Sequence, residues 1–144
     1  MSMATTFPTP EWVDALAAKL NSDERYAQVA KNWEGDMIVE IEDDTVDHPA
    51  SPPSRIYLDL WHGGCRQARI LSEDEKPPEA AFILHASLSN ILKIFQGELD
   101  PMQAMLTRRL RVEGNLAYML RNVPTVLEFV RCCREIPLSQ SGIL

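Results

Sequence analysis

Arg55-Ile56-Tyr57-Leu58-Asp59-Leu60-Trp61-His62-Gly63-Gly64-Cys65-Arg66-Gln67-Ala68-Arg69-Ile70-Leu71 alternates apolar and polar side chains up to a pair of glycines and resumes beyond it. From Arg55 to His62, the residues Ile56, Leu58 and Leu60 share one face and Tyr57, Asp59 and Trp61 the other. That is the period of a half-buried strand. Gly63-Gly64 is a two-residue hairpin signal, because glycine reaches the positive φ that a tight turn needs. Gln67 to Leu71 is then the returning strand. Upstream, Met37, Val39 and Ile41 alternate with Ile38, Glu40 and Glu42 as a further strand. A polar loop from Asp43 to Ser54 separates the two, carrying Asp43, Asp44 and Asp47 with Pro49, Pro52 and Pro53. Downstream, a charged turn from Ser72 to Glu79 precedes a fourth strand from Ala80 to Ala86.

Helical periodicity brackets this block. Thr9 is placed to cap a first helix, with Pro10 at its first position and Glu11 against its dipole. Trp12, Leu16 and Leu20 form its apolar stripe. Ser22 is the expected cap of a second helix bearing Tyr26, Val29, Ala30 and Trp33, with Gly35 as its terminator. After the strands, Leu88, Ile91, Leu92 and Phe95 form a stripe ending at Gly97. Asp100-Pro101 opens a short helix with Met102, Met105 and Leu106. Leu110 and Val112 alternate with Arg109, Arg111 and Glu113 in a fifth strand. Asn115 caps a helix with Leu116, Met119 and Leu120, and Pro124 starts a last one with Leu127 and Val130. The order α-α-β-β-β-β-α-α-β-α-α, with strands mostly in one run, predicts an α+β fold with a largely antiparallel sheet.

The 144 residues suit a single domain spanning 1–144, with a core over about 10–135 and a C-terminal tail from 136 to 144. At 45% hydrophobic, 24% charged and net charge −7, the chain is neither disordered nor a general nucleic-acid binder. Three cysteines make no disulfide framework and suggest a reducing compartment. Met1 to Pro10 has neither the basic start nor the apolar run of a signal peptide, so a cytoplasmic location is expected.

Chemistry-bearing motifs are scarce. His62 and Cys65 on a hairpin are half a zinc site, with no second pair at ligand spacing. Asp43, Asp44 and Asp47 lack the glycine and terminal glutamate of a calcium loop, and read as a solvated acidic loop. His85 sits mid-strand, opposite the Phe82 and Leu84 face, with no sequence neighbour to orient it as an acid or base. Cys132-Cys133 is a vicinal pair, and Cys133 continues an apolar helix face. No catalytic residue, metal site or cofactor is expected. The dense apolar content between Leu88 and Cys133, rich in adaptable methionine, suits either a core or a space for lipid.

The stretch Gly97-Glu98-Leu99-Asp100-Pro101-Met102-Gln103-Ala104-Met105, continued by Leu110-Arg111-Val112-Glu113-Gly114-Asn115-Leu116, resembles the sterol carrier protein type 2 family, the nonspecific lipid-transfer domain. The likeness covers roughly residues 10–135. It implies a five-stranded, mostly antiparallel sheet covered by helices, an apolar tunnel between them, and no catalytic residue. It further implies ligands such as fatty acid, fatty acyl-CoA, phospholipid or sterol. The side chains expected to line that tunnel are Phe82, Leu84, Leu92, Phe95, Met102, Met105, Leu106, Leu116, Met119, Leu120, Leu127 and Val130. Burying about 12 methylenes at ~0.8 kcal/mol each yields roughly 10 kcal/mol gross. An association cost of ~4 kcal/mol leaves roughly 6 kcal/mol, a Kd of tens of micromolar.

Charge is unevenly placed. Residues 1–106 carry 8 Lys+Arg against 18 Asp+Glu, and residues 107–144 carry 6 against 3, the six bases all arginine. Arg108, Arg109 and Arg111 are therefore candidates to meet an anionic headgroup, a CoA phosphate or an anionic membrane surface. Pairing of these arginines with acids of the N-terminal part is the competing reading. The expected partner is a hydrophobic small molecule, with peripheral membrane contact and a homodimer as further options. Two rival functions remain: an accessory interaction or dimerisation module supporting a lipid or quinone pathway enzyme, and an enzyme working through His85 or His62, which lacks a second catalytic group.

Overall fold

The computed structural model describes residues 8–42 and 54–137, so the acidic, proline-rich loop and nearly all of the C-terminal tail lie outside the described residues. The elements run α1 (Pro10–Ser22), α2 (Glu24–Val29), β1 (Met37–Glu42), β2 (Ser54–Trp61), β3 (Gly64–Leu71), β4 (Phe82–Ser87), α3 (Leu88–Phe95), α4 (Pro101–Leu106), β5 (Leu110–Gly114), α5 (Leu116–Arg121) and α6 (Val123–Arg134). This is the expected α+β order.

Local chemistry sets most boundaries. The Thr9 hydroxyl accepts the Trp12 N–H at 3.1 Å, and the Asp100 carboxylate accepts that of Gln103 at 3.0 Å. Ser87 and Asn115 cap α3 and α5 in the same way. The second helix departs from expectation. Asp23 caps it, accepting the Tyr26 N–H at 2.8 Å, because α1 runs on through Ser22, whose hydroxyl donates to the Ala18 carbonyl. α2 stops at Val29, so Trp33 and Gly35 lie beyond it. Gly35 is no helix cap: a Cβ there would meet the Phe82 ring at 2.8 Å. The hairpin turn also sits one residue early. His62 and Gly63 hold φ of 49° and 82°, and Gly64 already belongs to β3, which begins before the expected Gln67.

The sheet order is β3-β2-β1-β4-β5. Every pairing is antiparallel except β1 with β4. The chain builds the β2–β3 hairpin on one side of β1, then returns through residues 72–81 to place β4 on the other side, in the same direction as β1. Strand alternation divides the sheet into two faces. Met37, Val39, Ile41, Ile56, Leu58, Leu60, Leu84 and Leu110 point toward the helices. The opposite face carries Glu40, Arg55, His85 and Arg111 in register, next to a small buried cluster of Ile38, Tyr57 and Leu71.

α1 places its whole apolar stripe in the core, with Trp12, Val13, Leu16 and Leu20 all at 2% exposure or less. Trp12 stacks on Phe95 at 5.6 Å, and Trp33 packs against both Phe82 and Tyr118. A polar staple joins α1 and α2 to α6. Asp23 accepts from the Arg131 guanidinium at 2.7 Å, and Arg131 also reaches Glu128 and Glu135. Arg131, together with the Tyr26 N–H, holds the Asp23 carboxyl well below the usual carboxylate range. The Arg69 guanidinium likewise draws Glu75 down to about 2.

A carboxylate lowered on folding stabilises the protein above its unfolded value and loses that contribution as pH falls toward its folded value. Acid titration followed by circular dichroism is therefore expected to show stability falling from about pH 4 downward. Asp23→Asn keeps the cap but loses the charge. It should cost about 1–2 kcal/mol at neutral pH and flatten the acid limb. An unchanged acid profile in that variant would remove Asp23 from this account.

An apolar cavity between sheet and helices

The inward side chains of β1, β2, β4 and β5 form the floor of a space that is partly open to solvent. Its other walls come from Trp12 and Leu16 of α1, Ile91, Ile94 and Phe95 of α3, Pro101 and Met105 of α4, Met119 of α5, and Val126, Phe129, Val130 and Cys133 of α6. The cavity has a volume of about 90 Å³. That is below the ~300–1,000 Å³ of most small-molecule pockets, so a long-chain ligand fills it only as the surrounding side chains and helices give way.

No polar atom is exposed on the wall. Thr125 belongs to the lining, yet its hydroxyl donates outward to the Val29 carbonyl at 3.3 Å. Burial pushes up both the Tyr26 phenol and the Cys133 thiol, so the two titratable groups of the lining stay neutral at ordinary pH. A neutral, dry wall offers an apolar ligand burial without a competing hydration cost, and it offers a buried charge nothing. The space contains neither an activated nucleophile nor an acid–base pair.

Of the side chains expected in a tunnel, Leu84, Phe95, Met105, Met119 and Val130 lie on this wall. The other seven do not. Phe82 is spent in the ring cluster with Trp33 and Tyr118. Leu92 packs against the core from its edge, and Met102 lies half-buried on the next side of α4. Leu106, Leu116, Leu120 and Leu127 are corrections in the full sense, being 80%, 44%, 53% and 41% exposed. A neighbour in a helix is turned by about 100°, so Met105, Met119 and Val126 face inward while Leu106, Leu120 and Leu127 beside them face solvent. The sheet floor, by contrast, was missed. Period-two alternation identified Val39, Ile41, Ile56 and Leu58 as inward, but not that they border a void.

The other candidates fall away from the cavity. His85 faces the opposite side of the sheet, where Glu40 and Glu113 hold its two ring nitrogens at 3.0 and 2.6 Å. His62 contacts Glu34 at 2.6 Å, and the Cys65 thiol donates to the Gln67 carbonyl. Among the described residues no three possible ligands converge on a metal. Arg111 pairs with Glu42 at 3.5 Å on the sheet's outer face and so leaves the headgroup set. Arg108 and Arg109 stay exposed in the turn between two wall residues, Met105 and Leu110.

A sheet with its helices gathered over a neutral, apolar void is the design of a lipid-holding α+β domain. The chain belongs to the SCP-2 sterol transfer family, which it matches over residues 13–126; this is a domain of lipid binding and transfer. It is 31% identical to a sterol carrier protein 2 of known crystal structure, covering 90% of this chain and 98% of that one at a TM-score of 0.78. The solution structure of a conserved hypothetical protein from Thermus thermophilus is also 31% identical, covering 91% and 90% at a TM-score of 0.78. The solution structure of palmitated SCP2L2 from Aedes aegypti shares the fold at 12% identity, covering 87% and 96% at a TM-score of 0.58. No curated protein matches the chain.

Proposed function

We propose that this protein binds and carries a lipid with a single long hydrocarbon tail, a fatty acid or fatty acyl group, in the cavity between sheet and helices. One observation carries this reading: the wall exposes no polar atom. The tail then lies inside and the polar head stays at the opening; Arg108 and Arg109, exposed in the turn between the wall residues Met105 and Leu110, offer guanidinium groups that no acid of the described residues occupies. Affinity comes from methylene burial, so chain length sets it more than head chemistry, and each added methylene is worth up to ~0.8 kcal/mol. Family membership and the palmitated relative support the same ligand class. A cytoplasmic location accords with three unbridged cysteines, and among the described residues no helix is long and apolar enough to cross a membrane.

Native mass spectrometry of the purified protein, with displacement of a fluorescent fatty acid by palmitate, tests the proposal. Co-purified lipid, and displacement that strengthens with chain length, are the expected results. A reproducibly empty protein that takes up no fluorescent fatty acid would overturn it.

A further inference from the structure

We propose that two copies of this chain join through the free edge of β5, strand beside antiparallel strand about a two-fold axis at Val112, so that two five-stranded sheets run on as one. This assembly is separate from the lipid-binding reading and does not depend on what the cavity holds.

The two edges of the sheet differ. At β3, Asn21 of α1 caps the backbone of Cys65: its side chain accepts the Cys65 N–H at 2.8 Å and donates to the Cys65 carbonyl at 2.9 Å. The direction of the β5 backbone groups follows from β4. The Phe82 N–H donates to the Asp36 carbonyl at 3.1 Å, so Phe82, Leu84 and Ala86 aim their backbone groups at β1. Ile83 and His85 then aim theirs at β5, where they pair with Glu113 and Arg111. The N–H and carbonyl groups of Leu110, of Val112 and of Gly114 at the strand's end therefore point away from the sheet. Among the described residues, no hydrogen bond from another element reaches them. Residues 106–109 and 113–117, which flank this edge, are all exposed. A strand edge with unpaired backbone groups is a template for a further strand.

Charge selects a second copy as the occupant. Leu110-Arg111-Val112-Glu113-Gly114 carries opposite charges on either side of Val112. In an antiparallel pair centred there, Val112 exchanges both hydrogen bonds with the partner's Val112, and Leu110 faces the partner's Gly114. Arg111 then lies directly opposite the partner's Glu113, and by the two-fold axis the same contact forms again on the other side. An axis one residue away in either direction sets Arg111 against the partner's Arg111, or Glu113 against the partner's Glu113. Opposed like charges are unfavourable, so charge fixes the register at Val112. The contacts these side chains make within the chain leave room for another partner. Arg111 meets Glu42 at only 3.5 Å and is exposed, and Glu113 touches His85 through one of its two carboxylate oxygens. On the other face of the sheet, Val112 and Leu110 are half-buried, and Leu110 belongs to the cavity wall. Pairing would therefore bring the floors of two cavities side by side in one sheet.

Sedimentation equilibrium of the full chain, from about 1 μM to about 1 mM, tests the pairing. The wild type should pass from monomer to dimer across this range. Val112→Pro removes the N–H at the axis without removing a bond to β4, and an edge strand tolerates proline there. That variant should fold and associate about tenfold more weakly or worse. Arg111→Glu alone and Glu113→Arg alone each set like charges across the axis and should weaken the dimer about tenfold. The two substitutions together exchange the charges and should restore wild-type association, a rescue that only this register provides. Thermal melts establish that each variant is folded, and the charge series decides the question if Val112→Pro does not fold. A wild type that stays monomeric throughout, as it would if the edge served a segment of some other protein, would overturn the proposal. So would a folded Val112→Pro dimer of wild-type strength, or a combined charge variant that associates no better than the single ones.

Discussion

Leu84→Trp is expected to reduce fatty-acid affinity about a hundredfold or more while the protein stays folded. Leu84 lies in the middle of the cavity floor, flanked in register by Val39 and Val112, with α3 and α6 across the void. An indole there projects into empty space rather than into packed atoms, so it avoids most of the ordinary penalty for overpacking. Aromatic side chains also suit a strand. A hundredfold loss is ~3 kcal/mol, the burial of about four methylenes at ~0.8 kcal/mol each, so the indole need exclude only that much of the chain by blocking its path. Fluorescent fatty-acid titration beside a thermal melt is the measurement. A folded Leu84→Trp protein with wild-type affinity would show that the ligand does not use this space. Leu84→Ala is the companion variant: it enlarges the void and should retain binding while losing about 2–3 kcal/mol of stability.

Trp33→Ala is expected to cost about 4 kcal/mol, the largest stability loss predicted for a single position in this protein. Trp33 is 2% exposed and centres an aromatic cluster, 5.5 Å from Phe82 and 5.1 Å from Tyr118. Its indole N–H donates to the Gly35 carbonyl at 2.9 Å, so truncation also leaves that carbonyl unsatisfied. The cluster ties the end of α2 to the start of β4 and to α5, and the Tyr118 hydroxyl accepts the Glu34 N–H at 3.0 Å. Chemical denaturation should show a lower midpoint with an unchanged slope, and Trp33→Phe should lose about half as much. A loss below about 1 kcal/mol for Trp33→Ala would mean that the site collapses around the smaller side chain.

These two residues were unequally legible in the sequence. Leu84 was expected on a tunnel wall and lies on the cavity floor, because strand alternation gives only two directions and the sheet has helices over one of them. Trp33 was placed on a helix stripe and instead lies past a helix that stops at Val29. Its role comes from Phe82 and Tyr118, which are far from it in sequence. The arginines divided in the same way. Charge asymmetry marked Arg108, Arg109 and Arg111 together, yet the register of β5 turned Arg111 to the outer face and into contact with Glu42.

The sequence by itself determined the element order, the caps at Thr9, Asp100 and Asn115, the hairpin and the α+β class. Each depends on dihedral preference or hydrogen bonding within a few residues. Family likeness added the expectation of a lipid space. Only the tertiary structure decided which side chains surround that space. α4 and α5 have six residues each, fewer than two turns, and carry apolar side chains on more than one side. Periodicity over so short a helix cannot select the inward side. Packing against the sheet selects it, turning Met105 and Met119 inward and leaving Leu106, Leu116 and Leu120 in solvent. The same distance from local chemistry explains Asp23 and Arg131, and Glu40, His85 and Glu113: each group meets only when strands and helices remote in the chain come together.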